Sequence, residues 1–296
     1  MSAAKPCVRL LVLDLDNTLY DWVTFFVLSF RDMLNVASDD LGVSVDQLAA
    51  ELKVVHQRHH NSEHPFALLE TDTVQRRFGH LSRHEQAEAM DDAFHAFNSK
   101  RKETLQLYPG VKSTLSVVRE RGAVVVGHTE ATVPNALFRL RFLEVADSLR
   151  KLYAVRPSGD GHPNPKRPKQ RGGHALPVRF LAQKERKPDP RVLLDICSDF
   201  GIAPSETLYV GDSISRDIGM AVEAGTRSAW AKYGTDYDRS LWSELVRVTH
   251  WTEVDVRRAE ASREKYGDTK PEVVLTKSLD QILLHFDFEN GGKQKK

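Results

Sequence analysis

The sequence predicts an α/β fold with a mainly parallel sheet, interrupted after its first strand by an all-helical insert. Three observations carry this. Short apolar runs alternate with amphipathic helical stretches from residue 107 to about residue 230. Residues 22 to about 104 show helical periodicity throughout. One strand-like run, "VRLLVLDLD", precedes that helical stretch.

In chain order, Val8–Leu13 is apolar but for Arg9 and reads as a buried strand. Trp22, Phe26, Phe30 and Met33 then recur at steps of three and four, one face of a helix. "SVDQ" at Ser44–Gln47 is a capping box, with Leu48, Leu52 and Val55 on one side after it. "PFALLETDTVQRRFG" reads as a third helix. "SRHE" at Ser82–Glu85 opens a fourth, which Met90, Phe94, Phe97 and Arg101 continue. From "LYPGV" the texture changes. A helix from Val111 stops at Gly122, "AVVVGH" is a short buried strand, and Thr132–Phe142 is a helix with Pro134 in its first turn. "DPRVLLDICSDFG" is a helix ending at Gly201, "TLYVGD" a strand, and "SISRDIGMAVEAG" a helix ending at Gly225. "RSAWA" and "PEVVLT" read as strands, and "SLDQILLHF" opens with a capping box, Ser278–Gln281.

Two segments fit neither part. Residues 156–173 carry four prolines and four glycines with almost nothing apolar, the composition of a flexible basic loop. With no aromatic residue for base stacking, it is a solvated loop rather than a nucleic-acid grip. Residues 235–270, with Trp242 and Trp251, read as a helical insertion, and "GGKQKK" as a disordered end.

Composition narrows the class. The chain has 296 residues, 41 % apolar and 28 % charged, within the ordinary globular range. A formal net charge of +1 argues against a polyelectrolyte binder. Cys7 and Cys197 cannot build a disulfide framework and have no zinc spacing. An intracellular, cytoplasmic location is expected, since "MSAAKPCVR" holds no apolar signal region and no apolar run approaches the roughly 18 residues of a membrane span.

The chemistry gathers at strand ends, where ligands of open α/β sheets bind. Asp14 and Asp16 close the first strand, two residues apart and therefore on one face. Thr129 ends "AVVVGH". Asp212 ends "TLYVGD", and Asp217 follows in the next helix's first turn. Lys187 stands before a proline in "KERKPDP". Carboxylates this dense repel and need a cation. Oxygen-only ligands select a hard ion, Mg²⁺ being the usual one beside phosphate. The hydroxyl, the ammonium and loop N–H groups make a seat for a tetrahedral anion.

These motifs resemble the haloacid dehalogenase-like superfamily. "DLDNTL" fits its first motif, Thr129 its second, Lys187 in "KPDP" its third, and "GDSISRD" its fourth. The resemblance implies a Rossmann-like parallel-sheet core, residues 1–20 and 106–296, and an inserted all-helical C1 cap, residues 21–105. It further implies that Asp14 is a nucleophile forming an aspartyl-phosphate. Asp16 would be general acid and then base, its backbone carbonyl binding Mg²⁺. Thr129 and Lys187 would hold the phosphoryl oxygens. Asp212 would bind the metal beside Asp14, and Asp217 would bind it through water or orient Lys187. True dehalogenases lack the second aspartate, so Asp16 favours phosphoryl transfer. The expected activity is a Mg²⁺-dependent phosphatase for a small phosphorylated metabolite, with the helical insert as a lid. A phosphomutase, a protein phosphatase and a non-catalytic regulatory protein are the alternatives.

The chain departs from the family's pattern at Glu130, where many relatives have asparagine. Glu130 either points away from the phosphate or meets a basic group of the substrate. His128 is either a packed strand-end histidine or a substrate contact. Lys184 is a rival to Lys187. His56 and His60, an i, i+4 pair in "HQRHHNSEH", suggest a helical metal site, though exposed histidines on a polar face are the commoner case.

Overall fold

A computed structural model describes residues 4–59, 61–157, 163, 176–182, 184–249 and 253–289. In chain order its elements begin with β1 (Cys7–Val8), β2 (Leu10–Leu13), α1 (Trp22–Leu41) and α2 (Val45–His59). A 3₁₀ turn (Pro65–Glu70) leads to α3 (Asp72–Phe78), α4 (Arg83–Ala89) and α5 (Asp91–Thr104). Then come α6 (Val111–Glu120), β3 (Val124–Thr132), α7 (Val133–Phe142), β4 (Lys151–Val155), β5 (Val178–Leu181), α8 (Pro190–Phe200) and β6 (Thr207–Gly211). A π-helical turn (Ile214–Ile218) runs into α9 (Gly219–Glu223), followed by β7 (Arg227–Ala231), α10 (Leu241–Val248) and α11 (Glu253–Tyr266). The chain closes with β8 (Val273–Leu275), α12 (Ile282–His285) and β9 (Asp287–Phe288).

Among the described residues seven strands form one sheet in the order β5-β4-β3-β2-β6-β7-β8, every pairing parallel. Strand β2 is central, with Leu10 level with Val124 on one side and Thr207 on the other. It is buried on both faces, which explains its near-continuous apolar run. Leu11 and Leu13 join the core cluster beneath α6, α7 and the helical segment, while Leu10 and Val12 join the cluster beneath α8 and α9. Because the sheet strands run the same way, β2 and β6 deliver the residues that follow them, Asp14 and Asp212, to one edge, and Thr129 lies toward the same end of β3.

Helices α1–α5 intervene between the β2 edge and α6. Asp21 caps α1 by accepting from Thr24 N at 2.9 Å, and Gly42 ends it at φ 69°. Phe30 of α1 packs edge-on against Phe97 of α5 at 5.1 Å. No helix among the described residues is long and apolar enough to cross a membrane.

Local differences from the sequence reading have local causes. "PFALLE" forms a 3₁₀ turn rather than the start of one long helix, and Thr71, extended at ψ 146°, separates it from α3. The helix opened by Ser82 breaks at Met90 into α4 and α5. Strand β3 continues past Thr129 to Thr132, with an irregular register against β4. The "SISRD" stretch winds as a π-helical turn before α9. Strands β4, β5, β1 and β9 were not foreseen.

Residues 235–270 do contain helices, and they are not appendages. Leu241, Leu245 and Val248 of α10 are buried, and Arg31 of α1 binds Glu244 at 2.6 and 2.8 Å. Lys53 Nζ donates to Val246 O at 3.0 Å, and Arg247 pairs with Asp46 of α2. Helix α11 returns to the π-helical turn, where Ser262 Oγ donates to Ser215 O. Of the basic stretch 156–173, all but residues 156, 157 and 163 lies outside the described residues, as do Trp251, His60 and the terminal "GGKQKK".

Candidate active site

The turn after β2 is tight. Asn17 adopts φ 55°, a left-handed conformation that asparagine tolerates, and its Oδ1 accepts from Trp22 N at 3.0 Å. The turn is crowded from outside as well: a Cβ on Gly234 would overlap Asn17 O. Asp14 N donates to Val210 O of β6 at 2.9 Å, fixing this aspartate beside the fourth motif.

Lys187, 5 % exposed, stands between two of the carboxylates. Its Nζ lies 2.5 Å from Asp14 Oδ1 and 2.8 Å from Asp217 Oδ1. Asp217 is fully buried. Its Oδ2 accepts from Ser213 N at 3.0 Å and its Oδ1 lies 3.3 Å from the Tyr209 hydroxyl. Gly211 permits this, because a Cβ there would collide with the Asp217 carboxylate at about 2.5 Å. Lys184, the rival, is exposed. Thr129 is 1 % exposed at the end of β3's paired run, its hydroxyl accepting from Ala131 N at 3.0 Å.

Carboxylate oxygens of Asp14, Asp212 and Asp217 lie within 4.8 Å of one another. Their charges are unevenly balanced. Burial would raise Asp217, but Lys187, Arg216 and the Ser213 N–H overcome it and hold the carboxyl below the ordinary range. Burial lifts Asp14 well above that range, and Lys187 offsets this only in part against Asp217, Asp212 and Asp16. Burial and Asp217 push Asp212 up to about 7. Lys187 stays charged because Asp14 and Asp217 outweigh the cost of its burial.

The Asp16 side chain does not join this cluster. Its Oδ1 accepts from the Tyr20 hydroxyl and from Arg139 Nη1, both at 2.7 Å. Arg139 escaped the sequence reading. So did Arg216, which answers the question of Glu130: that carboxylate binds Arg216 Nη1 at 3.0 Å and accepts from Lys187 N at 3.2 Å. Glu130 thus ties together the loops carrying the second, third and fourth motifs. His128 is a packed strand-end histidine, 1 % exposed, with Nδ1 3.3 Å from the Tyr209 hydroxyl. Burial and the nearby Lys187 push it down to about 3.

His56 is not the exposed histidine of a polar face: it is buried in the helical segment with Nδ1 2.6 Å from Val248 O, while His60 lies outside the described residues. A different group assembles nearby. His59 Nε2 lies 2.7 Å from Glu70, and His64 stands 4.0 Å from it. Arg83 and Arg58 already face that carboxylate, at 3.5 and 3.9 Å, so Glu70 serves an ion-pair network.

Comparison with known proteins follows the same lines. The family model described as haloacid dehalogenase-like hydrolase matches residues 8–225. The chain is 44 % identical over 88 residues to the N-acetylmuramic acid 6-phosphate phosphatase of Pseudomonas aeruginosa, covering 27 % of this chain and 38 % of that one. It is 28 % identical over 141 residues to a phosphoglycolate phosphatase of Pseudomonas putida, covering 47 % and 41 %. The chain therefore spans about two fifths of the length of these two relatives. Phosphoglycolate phosphatase 1 of Pseudomonas aeruginosa aligns over 257 residues at 27 % identity, covering 82 % and 78 %. The crystal structure of a HAD phosphatase from Thermococcus onnurineus superposes with a TM-score of 0.51 at 16 % identity, covering 96 % and 100 %, a likeness of fold.

Proposed function

The chain belongs to the haloacid dehalogenase-like hydrolases, and from that membership and the site's geometry we propose a Mg²⁺-dependent phosphatase that hydrolyses a small phosphomonoester through an aspartyl-phosphate. The observation that carries this reading is the placement of Lys187 between Asp14 and Asp217, with Asp212 completing a three-carboxylate group. A nucleophilic carboxylate, a buried cation and a cation-hungry oxygen cluster at one sheet edge are the parts that phosphoryl transfer needs. The alignment over 78 % of a phosphoglycolate phosphatase and the shorter one to an N-acetylmuramic acid 6-phosphate phosphatase support a small phosphorylated metabolite as substrate.

The donor set fits Mg²⁺. All three side chains are oxygen donors, and two of them, Asp14 and Asp212, are pushed toward protonation by burial first and by the neighbouring carboxylates second, which a bound metal ion would counter. Asp14, Asp212 and the Asp16 backbone carbonyl would hold the ion, with Asp217 behind them. When bound, the ion offsets charge on the phosphoryl oxygens.

The chain's own residues do the rest. Asp14 attacks phosphorus. Asp16 gives a proton to the departing oxygen and later takes one from the water that hydrolyses the acyl phosphate. Thr129 and the Lys187 ammonium hold phosphoryl oxygens, with Asp217 fixing the lysine. Helices α1–α5, linked to this edge through Glu63 and Arg139, would exclude water and meet the leaving group. Hydrolysis of 4-nitrophenyl phosphate with Mg²⁺, lost in excess chelator and restored by the metal, tests the reading. Full turnover in chelator rejects it. A panel of phosphorylated sugars, nucleotides, amino acids and organic acids then ranks substrates by kcat/KM.

A further inference from the structure

Among the described residues Arg139 is the largest fully buried side chain, yet it carries a permanent charge. It sits on α7 between Ala136 and Leu140, two core residues, so it occupies the helix's buried face. Its guanidinium spans two carboxylates from distant parts of the chain. Nη1 lies 2.7 Å from Asp16 Oδ1, and Nη2 pairs with Glu63 of the helical segment. Ring faces close it in, Phe25 at 5.1 Å and Tyr20 at 5.8 Å.

Both partners are themselves held. The Tyr20 hydroxyl donates to the same Asp16 Oδ1 at 2.7 Å. Glu63 accepts from Trp22 Nε1, and its backbone carbonyl accepts from Asn135 Nδ2 of α7 at 3.1 Å. Two donors on Oδ1 orient the Asp16 carboxyl. One carboxylate would leave the buried guanidinium poorly solvated, and Glu63 supplies the second. Glu63, in the loop between α2 and the 3₁₀ turn, meets Arg139 because that loop lies against α7. Glu63, Asn135 and Arg139 also line a small cleft with Phe138 and Arg101.

We propose that Arg139 is a positioning residue for Asp16, and that Glu63 completes it, so that seating of the helical segment sets the aim of the acid–base group. This rests on the reading of Asp16 as general acid. In the step concerned, the bond from phosphorus to the leaving oxygen breaks and the Asp14 oxygen–phosphorus bond forms. The leaving oxygen takes the Asp16 proton. Arg139 gives up no proton, because a guanidinium stays charged at working pH.

A misaimed acid harms a poor leaving group more than a good one. The test is kcat/KM with saturating Mg²⁺ for phenyl phosphate and 4-nitrophenyl phosphate, which differ in leaving-group acidity but little in shape. Asp16→Ala, Arg139→Met, Arg139→Lys and Glu63→Gln are compared with the parent. Arg139→Met is expected to lose roughly tenfold more with phenyl phosphate than with 4-nitrophenyl phosphate. Arg139→Lys should recover part of that difference, and Glu63→Gln should show a smaller loss with the same bias. If Arg139→Met does not fold, the Lys and Gln variants decide. Equal losses on both substrates in the Arg139 and Glu63 variants, with Asp16→Ala biased, overturn the positioning role and leave Asp16 as the acid. Equal losses in Asp16→Ala itself overturn the assignment of Asp16, and this inference with it.

Discussion

The Lys187 ammonium is held at 2.8 Å by Asp217, a carboxylate with no exposed surface, and meets Asp14 at 2.5 Å on its other side. Lys187 and Asp217 make each other's burial tolerable, while burial still pushes Asp14 toward protonation. Lys187→Met would strand Asp217 and Asp14 in the core, at a cost of about 3–5 kcal/mol. The double variant Lys187→Met/Asp217→Asn should regain part of that stability while staying inactive. Urea unfolding of these two variants and of Asp217→Asn, all in chelator, checks this. Additive losses would mean that the two groups do not interact.

Without metal, Asp14 and Asp212 face each other and Asp217 as like charges. Two such charges about 4 Å apart repel by roughly 4 kcal/mol at an effective dielectric near 20, before relaxation and proton uptake reduce it. Asp14→Asn and Asp212→Asn should therefore melt at or above the metal-free parent and gain less from Mg²⁺, which stabilises by binding only the folded state. Calorimetry with and without Mg²⁺ reads both effects. A lower metal-free Tm in both variants would show that the cluster is not strained.

His128 gives a pH dependence of definite sign. Burial, then Lys187, holds its folded-state value at about 3, far below the unfolded value near 6.5. Below pH 6.5 the unfolded chain binds this proton and the folded one does not, so stability falls as pH drops toward 3. Between pH 7 and pH 5 the parent should lose up to about 2 kcal/mol more than His128→Gln. Parallel stability–pH curves for the two proteins would contradict the buried, neutral histidine.

Helix α10 ties the helical segment to the sheet domain through apolar burial more than through its ion pairs. Leu245 is 1 % exposed, so Leu245→Ala should cost about 2–4 kcal/mol. Glu244→Gln removes a pair whose side chains are each more than a third exposed, and should cost under about 1 kcal/mol. Denaturant midpoints distinguish them. An unchanged midpoint for Leu245→Ala would make α10 an appendage.

Much of this was legible in the sequence because the local signals agree. The run into Asp14, the glycine stops at Gly122, Gly201 and Gly225, and the punctuated helix "DPRVLLDICSDFG" each specify one structure. What escaped reading has physical causes. Strand β4, "KLYAV", is five residues long and opens on a lysine that pairs with Asp199, so it lacks the flanks of a buried strand. Strand β5 is four residues, and one of them, Phe180, is exposed. The 3₁₀ turn at Pro65–Glu70 shares helical periodicity with α3 and differs from it only in winding. Arg139 resembled one of the surface arginines of "FRLRF", because its partners lie 76 and 123 positions away. One signal was available: Arg139 falls three residues after Ala136 and one before Leu140, on the apolar stripe where a charge demands a buried partner. Arg216 and Glu130 lay inside recognised motifs, but only the fold brings those loops together.

The central claim is that Asp14 is the nucleophile and Asp212 holds the metal. Turnover of 4-nitrophenyl phosphate by Asp14→Asn and Asp212→Asn across a Mg²⁺ titration tests it most directly. The account predicts no turnover by Asp14→Asn at any Mg²⁺ concentration, because an amide cannot form the acyl phosphate. It predicts residual turnover by Asp212→Asn that rises with Mg²⁺. Metal-dependent turnover by Asp14→Asn, with none by Asp212→Asn, would contradict it.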